Sequence, residues 1–317
     1  MIDYAKAISR RNFMKKAAVG AALVGSGAAA RSAAKTKTAP LRLGGPTFEK
    51  YEGPDEWVGV VKKLGYRAAY CPVDANASDD VVKAYARAAK MADIIIAEVG
   101  AWSNPISPDD KTRREAQQKC RTQLALADRI GANCCVNISG SRSNRWEGPS
   151  PDNLTDETFD MIVETTRAII DDVKPTRTYF TLEMMPWSYP DSADSYVQLL
   201  KAIDRKRFAV HLDPVNIVCS PQRYYSTGKL IRECFEKLGS NIKSCHGKDI
   251  LLDPRLTTHL DEARPGLGGL DYAAFLKELS KMPDTPLMLE HLKGAEEYRL
   301  AAEHVRSVAK EIGLSFG

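Results

Sequence analysis

The sequence predicts an α/β protein built as a single closed (β/α)8 barrel, the TIM barrel fold. Short apolar runs alternate regularly with longer amphipathic segments through residues 41–317, as strands alternate with helices in this class. Eight such runs are each followed by one helical segment, which matches the eight units of the barrel. No shift in composition marks a boundary between two domains. A doubly wound open sheet is the alternative, but Gly44-Gly45 in the first run lacks the Gly-x-Gly-x-x-Gly pattern of a dinucleotide site.

The strand predictions rest on short apolar runs that end at polar residues or turns. They are 41–45, 66–71, 94–99, 134–138, 178–183, 208–213, 242–246 and 287–290. The helix predictions rest on apolar residues that recur with helical spacing between those runs. They are 55–63, 79–92, 111–130, 155–172, 192–203, 230–238, 272–282 and 295–312.

Residues 1–40 differ in character from the rest of the chain. Five of the 45 basic residues and one of the 41 acidic residues fall within 1–30, so the remainder is close to neutral. The run 9–15, Ser-Arg-Arg-Asn-Phe-Met-Lys, matches the twin-arginine export pattern, and an Ala- and Gly-rich segment follows it. We expect a twin-arginine signal peptide at 1–30, a linker at 31–40 and the barrel domain at 41–317. The alternative for 1–30 is a basic tail without a targeting role.

This signal predicts export of the folded protein to the periplasm or cell envelope. The apolar segment is too short and too Gly-rich for a membrane span, so no stable membrane anchor is expected.

A neutral remainder gives no electrostatic reason to expect nucleic acid as a partner. The seven cysteines are odd in number and follow no repeated spacing, which predicts no disulfide framework.

Four polar side chains end four successive strand-like runs. Glu183, Asp213, His246 and Glu290 close the runs predicted as strands five to eight. Because the carboxyl ends of parallel strands meet at one face of a barrel, we expect these side chains to form one site. Each acid taken singly would more commonly be a helix cap or an ion-pair partner. Three carboxylates and one imidazole together suit one divalent metal ion, Mn²⁺ first and Mg²⁺ or Co²⁺ as alternatives.

Residues close to these ligands in the sequence are candidates for binding the substrate. Lys248 follows His246 by two residues and points to the same side of its strand; its alternative role is an ion pair with Asp249 or another acid. His211 lies two residues before Asp213, so we expect both side chains to point to the same side of the strand. A hydrogen-bonded core histidine is an equally good explanation of His211. The predicted substrate-binding residues are Asn216, Lys248, His211 and Trp187.

Trp187 lies four residues after Glu183, where its ring could stack on a sugar. Ordinary packing is the alternative, and it is the simpler interpretation for Trp102 and Trp146. The interval between His246 and Glu290 also contains a long segment, 251–269, with three glycines near its end. A loop of that length at the catalytic face predicts a lid.

These motifs resemble the xylose isomerase-like barrel superfamily, in particular the sugar phosphate isomerase/epimerase group. The resemblance covers residue 41 to the end and rests on Thr-Leu-Glu183, His-Leu-Asp213-Pro-Val-Asn, Cys-His246-Gly-Lys-Asp and Met-Leu-Glu290-His. It implies one divalent metal at the four positions and proton transfer by Glu183 and Glu290. Ketose 3-epimerases of this group commonly carry a histidine where this chain has Asn216, which cannot do the same acid–base work.

The resemblance and the residues together predict a metal-dependent sugar isomerase or epimerase. A carboxylate would remove a proton α to a carbonyl, while a divalent cation that chelates the carbonyl and an adjacent hydroxyl stabilises the enediolate. Nothing in the sequence resembles a phosphate cradle, so we expect a non-phosphorylated keto-sugar as the small-molecule partner. Whether the chain forms a homo-oligomer stays open.

Three alternatives remain for the function. The first is a lyase or dehydratase that acts by β-elimination on a keto-sugar or 3-keto-glycoside at the same site. The second is a carbohydrate-binding protein with a vestigial site, against which the two intact glutamates argue. The third is an endonuclease IV-type DNA repair enzyme of the same superfamily, which would need several more histidines than the five in this chain.

Overall fold

The computed structural model describes residues 39–317, so the predicted signal peptide and most of the predicted linker lie outside the described residues. Eight of the ten strands pair in parallel and close into a barrel in the order β1-β10-β7-β6-β5-β4-β3-β2. The strands are β1 Leu43–Gly45, β2 Ala68–Tyr70, β3 Ile95–Gly100, β4 Cys134–Asn137, β5 Tyr179–Glu183, β6 Phe208–Leu212, β7 Ile242–Gly247, β8 Asp249–Asp253, β9 His259–Ala263 and β10 Leu287–Leu289. The barrel predicted from the sequence is confirmed.

Helices connect the barrel strands and cover them on the outside. They are α1 Pro54–Lys63, α2 Asp79–Met91, α3 Asp110–Ile130, α4 Asp156–Val173, α5 Ala193–Ile203, α6 Pro221–Tyr224, α7 Thr227–Leu238, α8 Tyr272–Leu279 and α9 Gly294–Glu311. Local chemistry sets several of the bounds: the Ser78 and Asp109 side chains cap α2 and α3 by accepting backbone N–H groups, and Gly131 ends α3 in the left-handed conformation. The short α6 is an addition to the eight predicted helices.

The main core lies between the barrel strands and the helices; every helix contributes buried apolar side chains to it except the short α6, whose Tyr224 packs against it partly buried. Inside the barrel the space is tighter. At Gly44 of β1, an added Cβ would lie 2.5 Å from the backbone oxygen of Ala68 and 2.6 Å from the sulfur of Met288. Side-chain volume at this point is therefore limited.

The segment predicted as a lid loop, 251–269, contains the end of β8 and all of β9. β8 and β9 form an antiparallel hairpin whose register runs from Asp249 opposite Ala263 to Asp253 opposite His259. The carboxylate of Asp249 accepts backbone N–H bonds from Ile250, Gly266, Gly268 and Leu270 at 2.8–3.1 Å. These bonds tie the base of the hairpin to the chain that follows it, so the segment is anchored at its base.

All seven cysteines lie within the described residues, and each is a free thiol. Among residues 39–317, no helix combines the length and the hydropathy that a membrane crossing requires.

Candidate metal centre

The four predicted metal ligands lie at the carboxyl ends of four strands that are consecutive around the barrel, β5, β6, β7 and β10. Glu183 is the last residue of β5, Asp213 follows β6, His246 lies in β7, and Glu290 follows β10. One donor atom from each residue lies within 4.8 Å of the donor atoms of the other three, and all four residues are buried. The structure thus brings together the set that strand-end positions alone predict.

His246 lies at the centre of this group. Its Nδ1 atom is 2.8 Å from Oε1 of Glu183 and 2.9 Å from Oε1 of Glu290. The same atom lies 3.7 Å from Oδ2 of Asp213. The other oxygen of Asp213 accepts the backbone N–H of Val215 at 3.0 Å, which leaves Oδ2 directed at the group. Three carboxylate oxygens and one imidazole nitrogen therefore converge.

Two of the converging oxygens indicate a binding site for a cation. Oδ2 of Asp213 and Oε1 of Glu290 are buried and accept no hydrogen bond of good geometry from the described residues. The ammonium of Lys248 lies 2.7 Å and 2.8 Å from them, so it partly balances their charge without satisfying the directions of their lone pairs. Hard oxygen donors with free lone pairs are the ligands that Mg²⁺ and Mn²⁺ take in proteins. The donor set fits one divalent ion.

Lys248 is 2% exposed and lies among acidic side chains. Besides Asp213 and Glu290, its ammonium lies 3.1 Å from Oε1 of Glu262 and donates to Oδ1 of Asn216 at 3.1 Å. Burial lowers the pKa of Lys248, but Asp213 and Glu290 outweigh burial and hold that pKa well above its usual range. Lys248 thus forms ion pairs with acids other than Asp249, which is the alternative role that the sequence allowed. It also lies beside the donor group.

The two glutamates have different electrostatic environments. Burial raises the pKa of Glu183, and His246 only partly opposes the effect. Burial also acts on Glu290, but His246 and Lys248 outweigh it and lower the pKa of Glu290 to about 2. Burial disfavours the charged imidazole of His246, yet Glu290, Glu98 and Glu183 raise its pKa well above the usual range.

Glu98 of β3 is a site residue that the sequence reasoning missed. Its side chain is 1% exposed, with Oε1 at 3.0 Å from Nε2 of His211 and Oε2 at 3.3 Å from Nε2 of His246. The hydroxyl of Ser244 donates to Oε1 of Glu98. The sequence did contain a signal for this residue, since Glu98 is the single carboxylate within the apolar run 94–99. A charge buried in such a strand requires partners.

Glu262 was missed as well, since only the hairpin brings it to the site. Its Oε2 lies 3.0 Å from Nδ1 of His291, and its Oε1 faces Lys248. His291, directly after the predicted ligand Glu290, has a φ of 58°, a left-handed conformation that is uncommon for a residue other than glycine. No local pattern around residue 262 indicates such a position.

The predicted substrate-binding residues occupy different places. Asn216 lies in the site, where its amide donates to Oε1 of Glu183 at 3.3 Å and to the backbone oxygen of Met184 at 3.0 Å. His211 is fully buried with Nε2 on Glu98, so its surroundings match a core histidine. Trp187 is 37% exposed and donates its indole N–H to the backbone oxygen of Glu147.

Trp102, for which packing was the simpler interpretation, also lies near the site. Its ring centre is 6.4 Å from that of His246, with the two planes tilted by 37°. The indole therefore closes one side of the donor group.

A cavity of about 210 Å³ adjoins the donor group at the hairpin. It is lined by Lys248, Glu262, Ala263, Arg264, Leu267, Glu290, His291, Leu292, Lys293 and Glu297. Two larger depressions, of about 610 and 330 Å³, lie near the amino ends of β3, β5 and β7, and a third, of about 520 Å³, lies at α6 and α7 beside Gly269 and Asp271. None of the three is lined by a residue of the donor group. Chemistry in this fold takes place at the carboxyl ends of the strands, so the smaller cavity is the one relevant to the site.

Solved structures share this fold at low sequence identity. D-psicose 3-epimerase with D-tagatose from Clostridium cellulolyticum has a TM-score of 0.60 and 17% identity, over 85% of this chain and 98% of its own. The probable 3-DHS dehydratase from Bacillus anthracis has a TM-score of 0.60 and 18% identity, over 81% and 93%. Endonuclease IV from Thermus thermophilus has a TM-score of 0.65 and 14% identity, over 85% and 99%. These likenesses concern the fold and not the reaction.

No curated protein matches the sequence significantly. The family described as xylose isomerase-like TIM barrel matches residues 58–308, a range that contains every barrel strand except β1 together with all four residues of the donor group. The chain belongs to the xylose isomerase-like TIM barrel family.

Proposed function

We propose that this protein is a metal-dependent isomerase or epimerase of a non-phosphorylated keto-sugar. The observation that carries the proposal is the arrangement of the two glutamates. In the strand order β5-β6-β7-β10, Glu183 and Glu290 lie at the two ends of the group, with Asp213 and His246 between them. Two carboxylates on either side of one ion suit a reaction that moves a proton between carbon atoms or between faces of a substrate.

The chain's own residues account for the proton transfers. One glutamate removes the proton α to the substrate carbonyl, and the other returns a proton to the opposite face or to the neighbouring carbon. Lys248 and Asn216 lie beside the donor group, where they can bind substrate oxygens and fix the orientation of the sugar. The divalent ion, when bound, polarises the carbonyl and stabilises the negative charge that develops on it.

The size of the cavity supports a small substrate. Its volume of about 210 Å³ is below the roughly 300–1,000 Å³ of pockets for drug-sized ligands. Of the three Lys and Arg side chains that line it, Lys248 is paired with acids and Arg264 lies 3.0 Å from Glu297, which leaves Lys293 as the single unpaired cation among these lining residues. The glycine-rich segment 266–269 reaches this cavity at Leu267, but the N–H groups of Gly266, Gly268 and Leu270 bind the carboxylate of Asp249 and so do not form the usual phosphate cradle. A free monosaccharide or a keto-glycoside therefore suits it better than a sugar phosphate.

A lyase or dehydratase is the second candidate, and Asn216 favours it. The amide binds Glu183 and Lys248 at the position where ketose 3-epimerases of the family commonly carry a histidine. An amide is neither an acid nor a base near neutral pH, so Asn216 cannot supply the acid–base group that the histidine supplies in those epimerases. Elimination of water or an aglycone needs one base and one acid, which the two glutamates supply.

Proton NMR in D₂O separates these reactions. The protein would be loaded with diamagnetic Mg²⁺ and offered free ketoses, 3-keto-glycosides and ketose phosphates. Deuterium entering an α-carbon with every C–O bond intact, and lost after chelation of the metal, is the expected result. An enone with released water or aglycone would assign the protein to the lyases. Absence of exchange with every substrate and with Mg²⁺, Mn²⁺ and Co²⁺ would contradict both reactions, and exchange confined to the phosphates would contradict the substrate class.

We also propose that residues 1–30 direct export to the periplasm or cell envelope through the twin-arginine pathway. The support is the run 9–15 with adjacent Arg10 and Arg11. In a bacterium that has this pathway, the full chain should appear outside the cytoplasm. Replacing both arginines by lysine should retain it inside, and equal export of the two forms would contradict the proposal.

A further inference from the structure

A carboxylate reaches the metal centre from the opposite side of the barrel. Glu98 belongs to β3, which is separated from β7 by β4, β5 and β6 in the barrel order. Its side chain crosses the interior and ends with Oε2 at 3.3 Å from Nε2 of His246. The two nitrogens of this imidazole thus face different partners, because Nδ1 faces the donor group.

The position of Glu98 constrains the protonation of His246. A carboxylate that is ionised only accepts hydrogen bonds, so the facing Nε2 atom must carry a hydrogen. A neutral imidazole with its hydrogen on Nε2 has a lone pair on Nδ1, and Nδ1 is the atom among Glu183, Asp213 and Glu290. Partners behind a metal-binding histidine commonly set its tautomer and orientation in this way.

Glu98 is itself held in place. Its Oε1 lies 3.0 Å from Nε2 of His211 and accepts the hydroxyl hydrogen of Ser244. The rings of His211 and His246 lie 4.1 Å apart between centres, at an angle of 69°. Glu98, His211 and Ser244 are each at most 1% exposed, so water does not compete for these hydrogen bonds. A buried network in which the carboxylate has three partners is rigid.

We propose that Glu98 is a positioning residue, which fixes His246 in the tautomer with hydrogen on Nε2 and so directs Nδ1 to the divalent ion. The inference rests on the proposed metal dependence and goes beyond it, because Glu98 is not one of the four residues of the donor group and does not line the substrate cavity. Glu98, His211 and His246 also form a second group whose ligand atoms lie within 4.8 Å of one another, so binding of a second ion is the competing role for Glu98. It also gives His211 a role, which is to hold Glu98.

Metal binding and histidine NMR test this role without measuring turnover. Glu98→Gln keeps the shape but leaves one acceptor oxygen for two imidazoles. The Kd for Mn²⁺ is measured by calorimetric titration of the chelator-treated full chain. In Glu98→Gln this Kd should rise by about 10–100-fold, the usual effect of losing such a partner. In Glu98→Ala it should rise further. Thr181→Val is the matched control, because it removes a buried hydroxyl that donates to the backbone oxygen of Cys135 in β4. Because this substitution changes neither a metal ligand nor a partner of one, the Kd of the control for Mn²⁺ should stay within about twofold of the wild-type value.

The tautomer is measured directly by long-range ¹H–¹⁵N spectra of the Mg²⁺-loaded wild type with labelled histidine. Hydrogen on Nε2 of His246 is expected, and hydrogen on Nδ1 would overturn the proposal even if the variants fail to fold. Unchanged Mn²⁺ affinity in both Glu98 variants would also overturn it. Two ions per wild-type chain, with one lost in Glu98→Ala, would make Glu98 a ligand of a second metal and would overturn the positioning role.

These outcomes are distinct from failure of the proposed function. A wild type that binds one ion and loses affinity in Glu98→Gln, yet exchanges no proton with any sugar, would leave the positioning role intact and remove the proposed reaction. A wild type that binds no Mn²⁺, Mg²⁺ or Co²⁺ would overturn both.

Discussion

The ammonium of Lys248 lies 2.7 Å from Oδ2 of Asp213, the oxygen that also belongs to the candidate metal ligands. The same ammonium lies 2.8 Å from Oε1 of Glu290. Without a divalent ion, Lys248 and the imidazole of His246, whose Nδ1 lies 2.9 Å from the same oxygen of Glu290, are therefore the groups that balance these two buried carboxylates. A bound ion would share that role, so metal binding and Lys248 are coupled through the same oxygens.

Replacement of Lys248 should make folding more dependent on metal. Lys248→Met keeps much of the side-chain volume and removes the charge, which leaves Asp213 and Glu290 with His246 as their nearest basic partner. Loss of one partner of a buried ion pair costs about 3–5 kcal/mol, so the metal-free variant should melt well below the metal-free wild type. Because a ligand stabilises the folded state that binds it, Mn²⁺ should raise the Tm of the variant more than that of the wild type.

Lys293 provides the matched control for this experiment. It lines the same cavity, and the described residues place no acid within ion-pair distance of it. Lys293→Met should leave both Tm values close to those of the wild type. If Mn²⁺ shifts the Tm of Lys248→Met by no more than the wild-type shift, Lys248 does not balance the donor group.

Removal of either predicted proton-transfer group should abolish most of the activity. Glu183→Gln and Glu290→Gln keep the side-chain shape but remove a carboxylate that lies within 2.9 Å of His246. A placed acid or base contributes roughly 10²–10⁴ in rate, so kcat should fall by at least that range. Glu297→Gln is the control, because this glutamate lines the cavity and pairs with Arg264. Turnover in either test variant equal to that of the control would refute the assignment.

The anchored hairpin predicts that Gly268 cannot be enlarged. An added Cβ at this position would lie 2.3 Å from the backbone oxygen of Ile250 and 2.4 Å from Oδ1 of Asp249. Gly268→Ala should lower the free energy of unfolding by about 1–3 kcal/mol and speed hydrogen exchange in β8 and β9. Gly59→Ala in α1 should stabilise the protein by about 0.5–1 kcal/mol, because nothing lies within 4 Å of its added Cβ. Equal effects of the two variants would contradict the anchoring.

Asp128 at the end of α3 predicts a pH-dependent contribution to stability. Burial raises its pKa, but backbone N–H bonds from Arg177, Thr178 and Thr176 outweigh burial and lower it. A carboxyl group whose pKa is lower in the folded state stabilises the fold above its unfolded pKa of about 4 and loses this effect as the pH falls through the folded value. Asp128→Asn should therefore cost about 1–2 kcal/mol at pH 7.

Denaturant unfolding from pH 7 to pH 3 measures this contribution. The difference between the wild type and Asp128→Asn should shrink as the pH approaches and passes below the folded pKa of Asp128. A difference that stays constant over this range would show that the carboxylate charge is not responsible.

The barrel and its four converging ligands could be predicted because each depends on local pattern. Every barrel strand is a short apolar run, and Glu183, Asp213 and Glu290 each stand at the end of such a run. Fold topology then brings strand ends together whatever the intervening sequence. The same reasoning placed Lys248 beside His246, although only the structure shows that its partners are Asp213, Glu290, Glu262 and Asn216.

Glu98, the partner of His246 inside the barrel, could not be predicted in the same way. Glu98 reaches His211 and His246 across the barrel, at sequence separations of 113 and 148 residues, and these contacts depend on the cross-section of the closed barrel. The hairpin strands escaped prediction because β9 has no buried residue, so no alternation of apolar and polar residues marks it. Glu262 depends on that hairpin and was missed with it.

The most direct test of the central claim is a crystal structure of the protein grown with Mn²⁺ and measured at a wavelength that gives an anomalous signal from manganese. We expect one strong anomalous peak per chain, bonded to Glu183, Asp213, Nδ1 of His246 and Glu290, with the ammonium of Lys248 displaced from Asp213 or retained at its edge. A protein that binds no Mn²⁺ at this point, or binds it only elsewhere, would contradict the metal centre and the reaction that depends on it.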